Sequence, residues 1–165
     1  MSSLSEWLIN LVTMEEEASK YATRRKPCAS CPYLKSTPSG VWAAEEYTRL
    51  CKYDGDMGSQ LMEGGNGLFM CHQNNGEETT PCMCRGWTDT HGAENLVAIR
   101  LSLSSGGGGS KFPDDLWEHS GADVYASGQE ACDAGMRDIE QPQELAKKTQ
   151  SLLLRKNKRL RTLDQ

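Results

Sequence analysis

The stretch Lys26-Pro27-Cys28-Ala29-Ser30-Cys31-Pro32-Tyr33 contains two cysteines separated by two residues. A tight turn between two cysteines spaced in this way brings both thiolates to one side, where they can bind the same metal ion. A thioredoxin-like redox motif would instead open a helix, and here Pro32 and Pro38 follow with no helical pattern between them. The stretch therefore predicts a metal-binding loop.

Two later segments carry residues that can complete a tetrahedral site. They are Cys71-His72, after a short apolar run, and Cys82-Met83-Cys84-Arg85-Gly86-Trp87. The expected ligands are four thiolates, Cys28, Cys31, Cys71 and Cys84. Adjacent residues of a strand point to opposite faces, so only one of Cys71 and His72 is expected to bind. Cys82 and Cys84 are two residues apart and can exchange roles, so His72 and Cys82 are the possible substitutes.

The identity of the metal stays open at the level of sequence, because zinc and a [4Fe–4S] cluster both accept four thiolates. Zinc would supply folding energy directly. Pro32 and the aromatic residues Tyr33, Phe69 and Trp87 would suit a shielded cluster. The plainer alternative is that these are buried cysteines without a metal, and that is the expectation for Cys51 and Cys132, which lie on apolar faces of predicted helices.

The composition also favours a metal. Leu, Ile, Val and Phe make up only about 16% of the 165 residues, below the roughly 20% at which chains begin to look disordered. The chain has seven cysteines, an odd number, and its N-terminus does not have the pattern of a signal peptide or a membrane span. We therefore expect a cytoplasmic protein without structural disulfides. Collagen, coiled-coil, membrane and secreted disulfide-rich classes are excluded.

The apolar pattern predicts a mostly α fold with a small irregular α+β metal-binding centre, in which helices pack around the four-cysteine site. Three regions follow: an amphipathic helix over 1–23, a cysteine-rich metal-binding domain over 24–140, and a basic helix over 141–165. Within the middle region we predict helices over 41–52, over 92–104 and from Ser127 to about Ile139, strands over 68–71 and 124–126, and a glycine-rich loop over 55–67. In the helix over 92–104, Leu96, Ile99 and Leu103 are spaced to face a core. The final helix is predicted to begin at Pro142, and the segments with candidate ligands are expected in loops or at strand edges. Asp89 is expected to cap a helix, and His91 and His119 to lie at the surface or in caps.

The charge is unevenly distributed. The chain carries −5 overall, whereas Lys147 to Arg161 contains seven basic residues and no acidic one. The residues expected to contact a nucleic acid or another partner are Lys147, Lys148, Arg155, Lys156, Lys158, Arg159 and Arg161. The acidic remainder argues against general coating of nucleic acid, and the leucines of the same helix can equally meet a protein. A host protein or complex is the expected partner, nucleic acid a possible one, and a membrane is not expected.

Five motifs carry a resemblance to a known family. They are Lys26–Tyr33, Pro38-Ser39-Gly40-Val41-Trp42, Phe69-Met70-Cys71-His72, Cys84-Arg85-Gly86-Trp87, and Asp123–Gly128 with Gly135-Met136. Over about residues 24–140 the chain resembles an uncharacterised cysteine-containing family of small proteins from actinobacteria and their phages. The resemblance implies that Cys28, Cys31, Cys71 and Cys84 act as one set, from which Cys82 departs. It implies no particular activity.

The leading functional hypothesis is a non-enzymatic, metal-stabilised interaction or regulatory protein, encoded by a phage and binding a host macromolecule. One alternative is an iron–sulfur regulator that responds to redox conditions, and another is a protein that binds nucleic acid through its basic C-terminal helix. A zinc hydrolase is disfavoured, because four cysteine ligands leave no open coordination position.

Overall fold

The structure, a computed structural model, describes residues 21–74, 80–105 and 112–163, with side chains as far as Arg155. Its elements are, in order, β1 (Ala22–Thr23), α1 (Ala44–Thr48), a 3-10 helix (Arg49–Tyr53), α2 (Met57–Met62), β2 (Cys82–Met83), α3 (Arg85–His91), a 3-10 turn (Ala93–Asn95), α4 (Val97–Ser104), a 3-10 turn (Asp114–Trp117), α5 (Gly128–Met136) and α6 (Glu144–Leu163). The predicted mostly helical fold is confirmed. The N-terminal helix predicted over 1–23 falls mainly outside the described residues, and its last two residues form β1.

The sheet is smaller than the sequence predicted. β1 and β2 pair in parallel, with Ala22 opposite Cys82 and Thr23 opposite Met83. The predicted strands over 68–71 and 124–126 are reduced to single antiparallel bridges, Met70 with Met83 and Leu34 with Val124. Two further backbone hydrogen bonds hold the first of these bridges: Cys71 N donates to Cys82 O at 2.9 Å, and Cys84 N donates to Phe69 O at 2.8 Å. This pairing brings the Cys71 segment beside the Cys84 segment.

The core compensates for the scarcity of aliphatic residues with aromatic and sulfur-containing side chains. Its largest fully buried members include Trp87, Tyr33, Tyr47, Met83 and Cys31. The rings of Tyr53 and Trp87 meet edge to face with centroids 5.2 Å apart, and Phe69 packs on Tyr33 and Tyr53 in the same way at 5.8 Å. Such pairs add stabilisation beyond the area they bury.

Helix α5 forms as predicted and packs closely on α1 and the 3-10 helix that follows it. The two predicted capping residues both act at its N-terminus: Ser127 Oγ accepts a hydrogen bond from Glu130 N at 3.1 Å, and Glu130 Oε2 accepts one at 3.1 Å from the N–H of Ala126, the residue before the N-cap. The predicted helix over 41–52 is present as α1 and the 3-10 helix, with Tyr47 and Leu50 buried. Helix α5 contacts α1 and the 3-10 helix through its glycines, Gly135 and Gly128 respectively.

The glycine-rich loop predicted over 55–67 is wrong in part, because it contains α2. Asp56 caps this helix by accepting a hydrogen bond from Ser59 N at 2.8 Å. Apolar periodicity did not reveal the helix, since its large apolar side chains are exposed and its anchor is a buried amide. Gln60 accepts a hydrogen bond from Val97 N and donates to Asn95 O, both at 3.0 Å.

The segment Cys84–Trp87 was expected in a loop or at a strand edge. Cys84 does follow β2 directly, but the residues after it begin α3. Asp89 lies inside that helix and does not cap it: Arg85 Nε donates to Asp89 Oδ1 at 3.0 Å in a buried ion pair. Arg85 also donates to the backbone oxygens of Asp115 and Glu118, and Asp89 accepts hydrogen bonds from the backbone N–H and the hydroxyl of Ser120. The pair therefore ties α3 to residues 115–120.

His91, expected at the surface or in a cap, is in fact buried at the end of α3. Its ring packs edge to face on Tyr33, and its Nδ1 lies 3.5 Å from Asp54 Oδ1. Burial lowers the pKa of His91 to about 4 although the neighbouring Asp54 acts in the opposite direction.

His119 agrees with the expectation: its exposed Nδ1 accepts a hydrogen bond from Gly121 N at 2.9 Å. Leu103, expected in the core with Leu96 and Ile99, is 46% exposed.

The final helix, α6, begins at Glu144, two residues after the predicted start at Pro142. It contacts the rest of the protein through buried Ala146 and through Gln150 Nε2, which donates to Gly40 O at 2.6 Å. Leu145, Leu152 and Leu154 are largely exposed. In the part of the chain that the structure describes, no helix combines the length and apolar character needed to cross a membrane.

Candidate metal centre

Three predicted ligands or substitutes meet on one side of the β2 pairing. The ligand atoms of Cys28, Cys71 and His72 all lie within 4.8 Å of one another, and Cys28 Sγ is 3.6 Å from His72 Nε2. Cys71 and His72 do not point to opposite faces as predicted, because the chain turns at His72 and does not continue as a strand. Both side chains therefore reach Cys28. Among the described residues, this is the set of three potential ligands that meets the 4.8 Å spacing.

The other two predicted ligands form a buried pair beside this set. Cys31 Sγ lies 3.6 Å from Cys84 Sγ, and the two residues are 0% and 3% exposed. The CxxC segment forms the expected tight turn, in which Cys31 N donates to Cys28 O at 2.9 Å. Gly86 is required for this packing, because a Cβ at residue 86 would lie well inside 3.0 Å of Cys31 Sγ.

The thiols of these two groups, Cys28 with Cys71 and Cys31 with Cys84, shift one another's pKa values. The hydrogen bond to Cys31 raises the pKa of Cys28 to about 11, and the bond from Cys71 opposes this shift. The bond from Cys28 lowers the pKa of Cys31, but the bond to Cys84 and burial outweigh it and leave the pKa raised. The bond to Cys28, with burial, raises the pKa of Cys71. A metal ion would have to displace protons from these thiols, so binding would release protons and depend on pH.

A family-wide sequence pattern covers this centre. The pattern of a family of unknown function, DUF6283, matches residues 23–155. The chain belongs to this family. Comparisons with curated proteins and with solved structures found no match. The region shared with DUF6283 contains all seven cysteines and His72, together with the start of α6.

Three residues that were not predicted to belong to the site, Arg24, Ser30 and Trp42, contact Cys71 and His72 of the candidate metal centre. Arg24 Nε lies 3.3 Å from Cys71 Sγ, and this hydrogen bond raises the pKa of the guanidinium. Ser30 Oγ lies 2.9 Å from His72 Nε2, and the Trp42 ring packs edge to face on His72 with centroids 4.6 Å apart. Trp42 Nε1 in turn donates to Ser30 O at 3.0 Å. Partners of this kind orient ligands and tune their charge. Ser30 lies inside the CxxC spacing and Trp42 ends one of the quoted motifs, but neither was assigned a role; Arg24 lies in none of the motifs.

The other predicted residues are not part of the set of three. Cys82 is buried and its Sγ lies 3.6 Å from Met83 O; like Cys31 and Cys84, it is outside the set around Cys28. Lys147, Lys148 and Arg155 are exposed on α6, and Lys147 Nζ pairs with Glu144 at 2.9 Å. The last four predicted contact residues belong to the end of α6, where the structure describes no side chains: Lys156, Lys158, Arg159 and Arg161.

Proposed function

We propose that this protein is a non-enzymatic, metal-stabilised binding protein. Cys28, Cys31, Cys71 and Cys84 hold its metal ion, and His72 lies beside the set as the alternative ligand. The observation that carries this proposal is that the CxxC turn joins two groups of potential ligands. Cys28 lies with Cys71 and His72 within 4.8 Å, and Cys31 Sγ lies 3.6 Å from Cys84 Sγ. A short sequence of poor aliphatic content gains folding energy from such a centre.

The spacing of the sulfur atoms favours zinc. A tetrahedral zinc site with Zn–S bonds of about 2.3 Å places its sulfur ligands about 3.8 Å apart. The Sγ atoms of Cys31 and Cys84 are 3.6 Å apart. In a [4Fe–4S] cluster each cysteine binds a different iron, and iron and sulfide ions separate the thiolates more widely. An iron–sulfur regulator is therefore the second candidate, and metal analysis separates the two.

Burial supports a structural role for this centre. Cys31, Cys71 and Cys84 are each less than 5% exposed. Four sulfur ligands around zinc leave no coordination position for water, which a hydrolytic zinc site needs. The role of the ion in this proposal is to hold the CxxC loop, the turn after Cys71 and the start of α3 together.

The partner in this proposal binds α6. Exposed leucines, Leu145, Leu152 and Leu154, share this helix with exposed Lys147, Lys148 and Arg155. Leu145 and Leu152 are seven residues apart and lie on one face of α6, so a protein groove with an acidic rim would fit that face and the cations beside it. The cations also fit phosphates. The resemblance to proteins of actinobacteria and their phages leads us to propose a phage-encoded regulatory factor in the cytoplasm, with a host macromolecule as its target.

The metal proposal is tested on protein purified without oxygen, with zinc, iron and sulfide measured per chain. We expect one zinc, and we expect Cys31→Ser and Cys84→Ser each to lose most of it and to unfold at lower urea. Cys82→Ser is the matched control, since it changes a buried neighbouring cysteine outside the ligand set. Stoichiometric iron and sulfide with visible absorbance would establish the cluster instead. Metal content unchanged in both ligand variants would overturn the centre itself.

The role of α6 is tested by titrating labelled duplex DNA and RNA over a range of salt concentrations. Nucleic-acid binding through this helix requires affinity that falls steeply with salt and is weakened by charge reversal at Lys147, Lys148 and Arg155. If affinity does not depend on these residues, nucleic acid is excluded as the partner of α6. A protein partner then requires that replacing Leu145, Leu152 and Leu154 by Ser abolishes co-purification from the host, while the same charge reversals weaken it less.

A further inference from the structure

A second pair of thiols lies in the interface between α5 and the 3-10 helix, on elements that carry none of the proposed metal ligands. Cys51 belongs to the 3-10 helix, and Cys132 lies near the middle of α5. Cys132 lies one helical turn after Gly128, which packs directly against the backbone of Leu50 and Cys51, and Cys51 packs against the core cluster that contains Cys132. The two residues were expected to be separately buried thiols, so their proximity is a product of the tertiary fold.

Two glycines of α5 hold the backbones on either side of this pair in close contact. A Cβ at Gly128 would meet the backbone carbonyl of Leu50 well inside 3.0 Å, and would lie 3.1 Å from Cys51 N. A Cβ at Gly135 would likewise clash with the ring of Tyr47. Cys132 lies between these two contact points, so the packing leaves its thiol little freedom to move away from Cys51.

A third contact fixes the first turn of α5 relative to Cys51 and the 3-10 helix. Asp54, three residues after Cys51, accepts hydrogen bonds from the backbone N–H groups of Gly128 and Gln129 at 2.7 and 2.8 Å. The end of the 3-10 helix is thus anchored to the first turn of α5. Together with the glycine contacts, this anchor holds α5 and the 3-10 helix against each other around Cys51 and Cys132.

The two thiols differ in their access to solvent. Cys132 is 5% exposed and its Sγ also contacts Met136 Sδ at 3.6 Å, whereas Cys51 is only partly buried. A small oxidant therefore reaches Cys51 first. Cys132 is placed to react with whatever forms on that sulfur.

We propose that Cys51 and Cys132 are an oxidation site, at which a peroxide converts the two thiols into an intramolecular disulfide. The Cys51 thiolate attacks a peroxide oxygen, the O–O bond breaks, and the products are a sulfenic acid and hydroxide, which takes up the proton lost by the thiol. The Cys132 thiolate then attacks the Cys51 sulfur and expels the hydroxyl group, which leaves as water. The two thiols lose two electrons and two protons, and one hydrogen peroxide is reduced to two waters.

The same environment makes the reaction slow. Burial, followed by the proximity of Cys132, raises the pKa of Cys51 to about 11. Few molecules carry the thiolate at neutral pH, so this site reacts with sustained or concentrated peroxide and is inert to brief exposure. Once formed, the bond fastens α5 to the 3-10 helix. It closes a long loop of the chain, which raises Tm by about 5–15 °C for a chain of this size.

The experiment uses the metal-loaded full-length protein treated with excess hydrogen peroxide, alkylated and digested with trypsin. The expected product is the peptide Leu50–Lys52 linked to Phe112–Arg137, lighter by two hydrogens than the two free peptides together. Dithiothreitol should release it. In Cys132→Ser the sulfenic acid should accumulate on Cys51 and be trapped by dimedone, whereas Cys51→Ser should give neither the linked peptide nor the adduct.

Three results would overturn the inference. One is that Cys51 and Cys132 remain fully alkylatable after prolonged treatment. Another is that disulfides form only among the cysteines of the metal centre. The third is that the dimedone adduct appears on Cys132 in the Cys51→Ser variant, which would reverse the proposed order of attack. Circular dichroism of both variants checks that each remains folded. None of these readouts depends on which metal the other cysteines bind, so failure here leaves the proposed function standing.

Discussion

Replacing Gly86 by alanine should destabilise the protein, although alanine is the better helix former. Gly86 lies in the first turn of α3, where intrinsic propensity alone would make Gly86→Ala stabilising by up to about 1 kcal/mol. The added methyl group would lie well inside 3.0 Å of Cys31 Sγ and 3.0 Å from Tyr33 Cβ, both fully buried. Overpacking of a close-packed core costs about 1–3 kcal/mol. We expect a net loss of about 1–2 kcal/mol.

The chain can relieve this clash in one way that has its own signature. Cys31 Sγ can rotate away from residue 86, but it then leaves the position 3.6 Å from Cys84 Sγ. The stability of the apo protein would be partly restored, and the proposed metal site would lose a ligand. Gly86→Ala should therefore reduce the zinc content, the free energy of unfolding, or both.

The assay is urea unfolding at pH 7, with the m-value used to check that the unfolded surface is unchanged, together with zinc analysis. Gly58→Ala is the matched control, because Gly58 also lies in a helix and its added Cβ would meet nothing closer than Asp56 Oδ1 at 3.4 Å. The control should be stabilised by about 0.5–1 kcal/mol. Equal stabilisation of both variants, with normal zinc content, would refute the packing argument for Cys31.

Three further changes test other contacts. Asp89→Asn leaves the buried Arg85 guanidinium without its counter-charge and should cost about 3 kcal/mol in urea unfolding, whereas a cost under 1 kcal/mol would mean that the pair contributes little. His91 stays neutral in the fold while the unfolded chain binds a proton near pH 6.5, so the free energy of unfolding should fall by about 3 kcal/mol as the pH drops from 6.5 to 4. The His91→Gln variant should lack that part of the pH dependence, and identical pH profiles would contradict it. Ser127→Ala removes the cap on Glu130 N and should lower the free energy of unfolding by about 1 kcal/mol, measured in the same assay.

The features predicted correctly from the sequence are those set by neighbouring residues. The capping roles of Ser127 and Glu130 and the helical pattern through Tyr47 each depend on a few consecutive positions. The CxxC turn is also local, since Cys31 N bonds to Cys28 O. Patterns that depended on one apolar face failed for α2, whose buried anchor is the amide of Gln60, and for Leu103, whose predicted core-facing position is exposed.

The candidate centre was predictable in its residue types and less so in its arrangement. The sequence singled out cysteines and one histidine but treated Cys71 and His72 as alternatives on opposite faces. A turn at His72 directs both toward Cys28, and Arg24, which contacts Cys71, carries no signal in its own neighbourhood. The position of this turn depends on the pairing of Met70 and Cys71 with Met83 and Cys82, which lie more than ten residues further along the chain.

The scarcity of aliphatic residues, the CxxC loop, the helix caps and the basic segment near the C-terminus could all be predicted from the sequence. They follow from composition and from spacings of a few residues. Which distant thiols meet became clear only from the packing of the whole fold. Cys31 reaches Cys84 because Gly86 has no side chain, and Cys51 reaches Cys132 because Gly128 and Gly135 allow α5 to pack closely. Such contacts depend on how whole elements pack, which no short window of sequence contains.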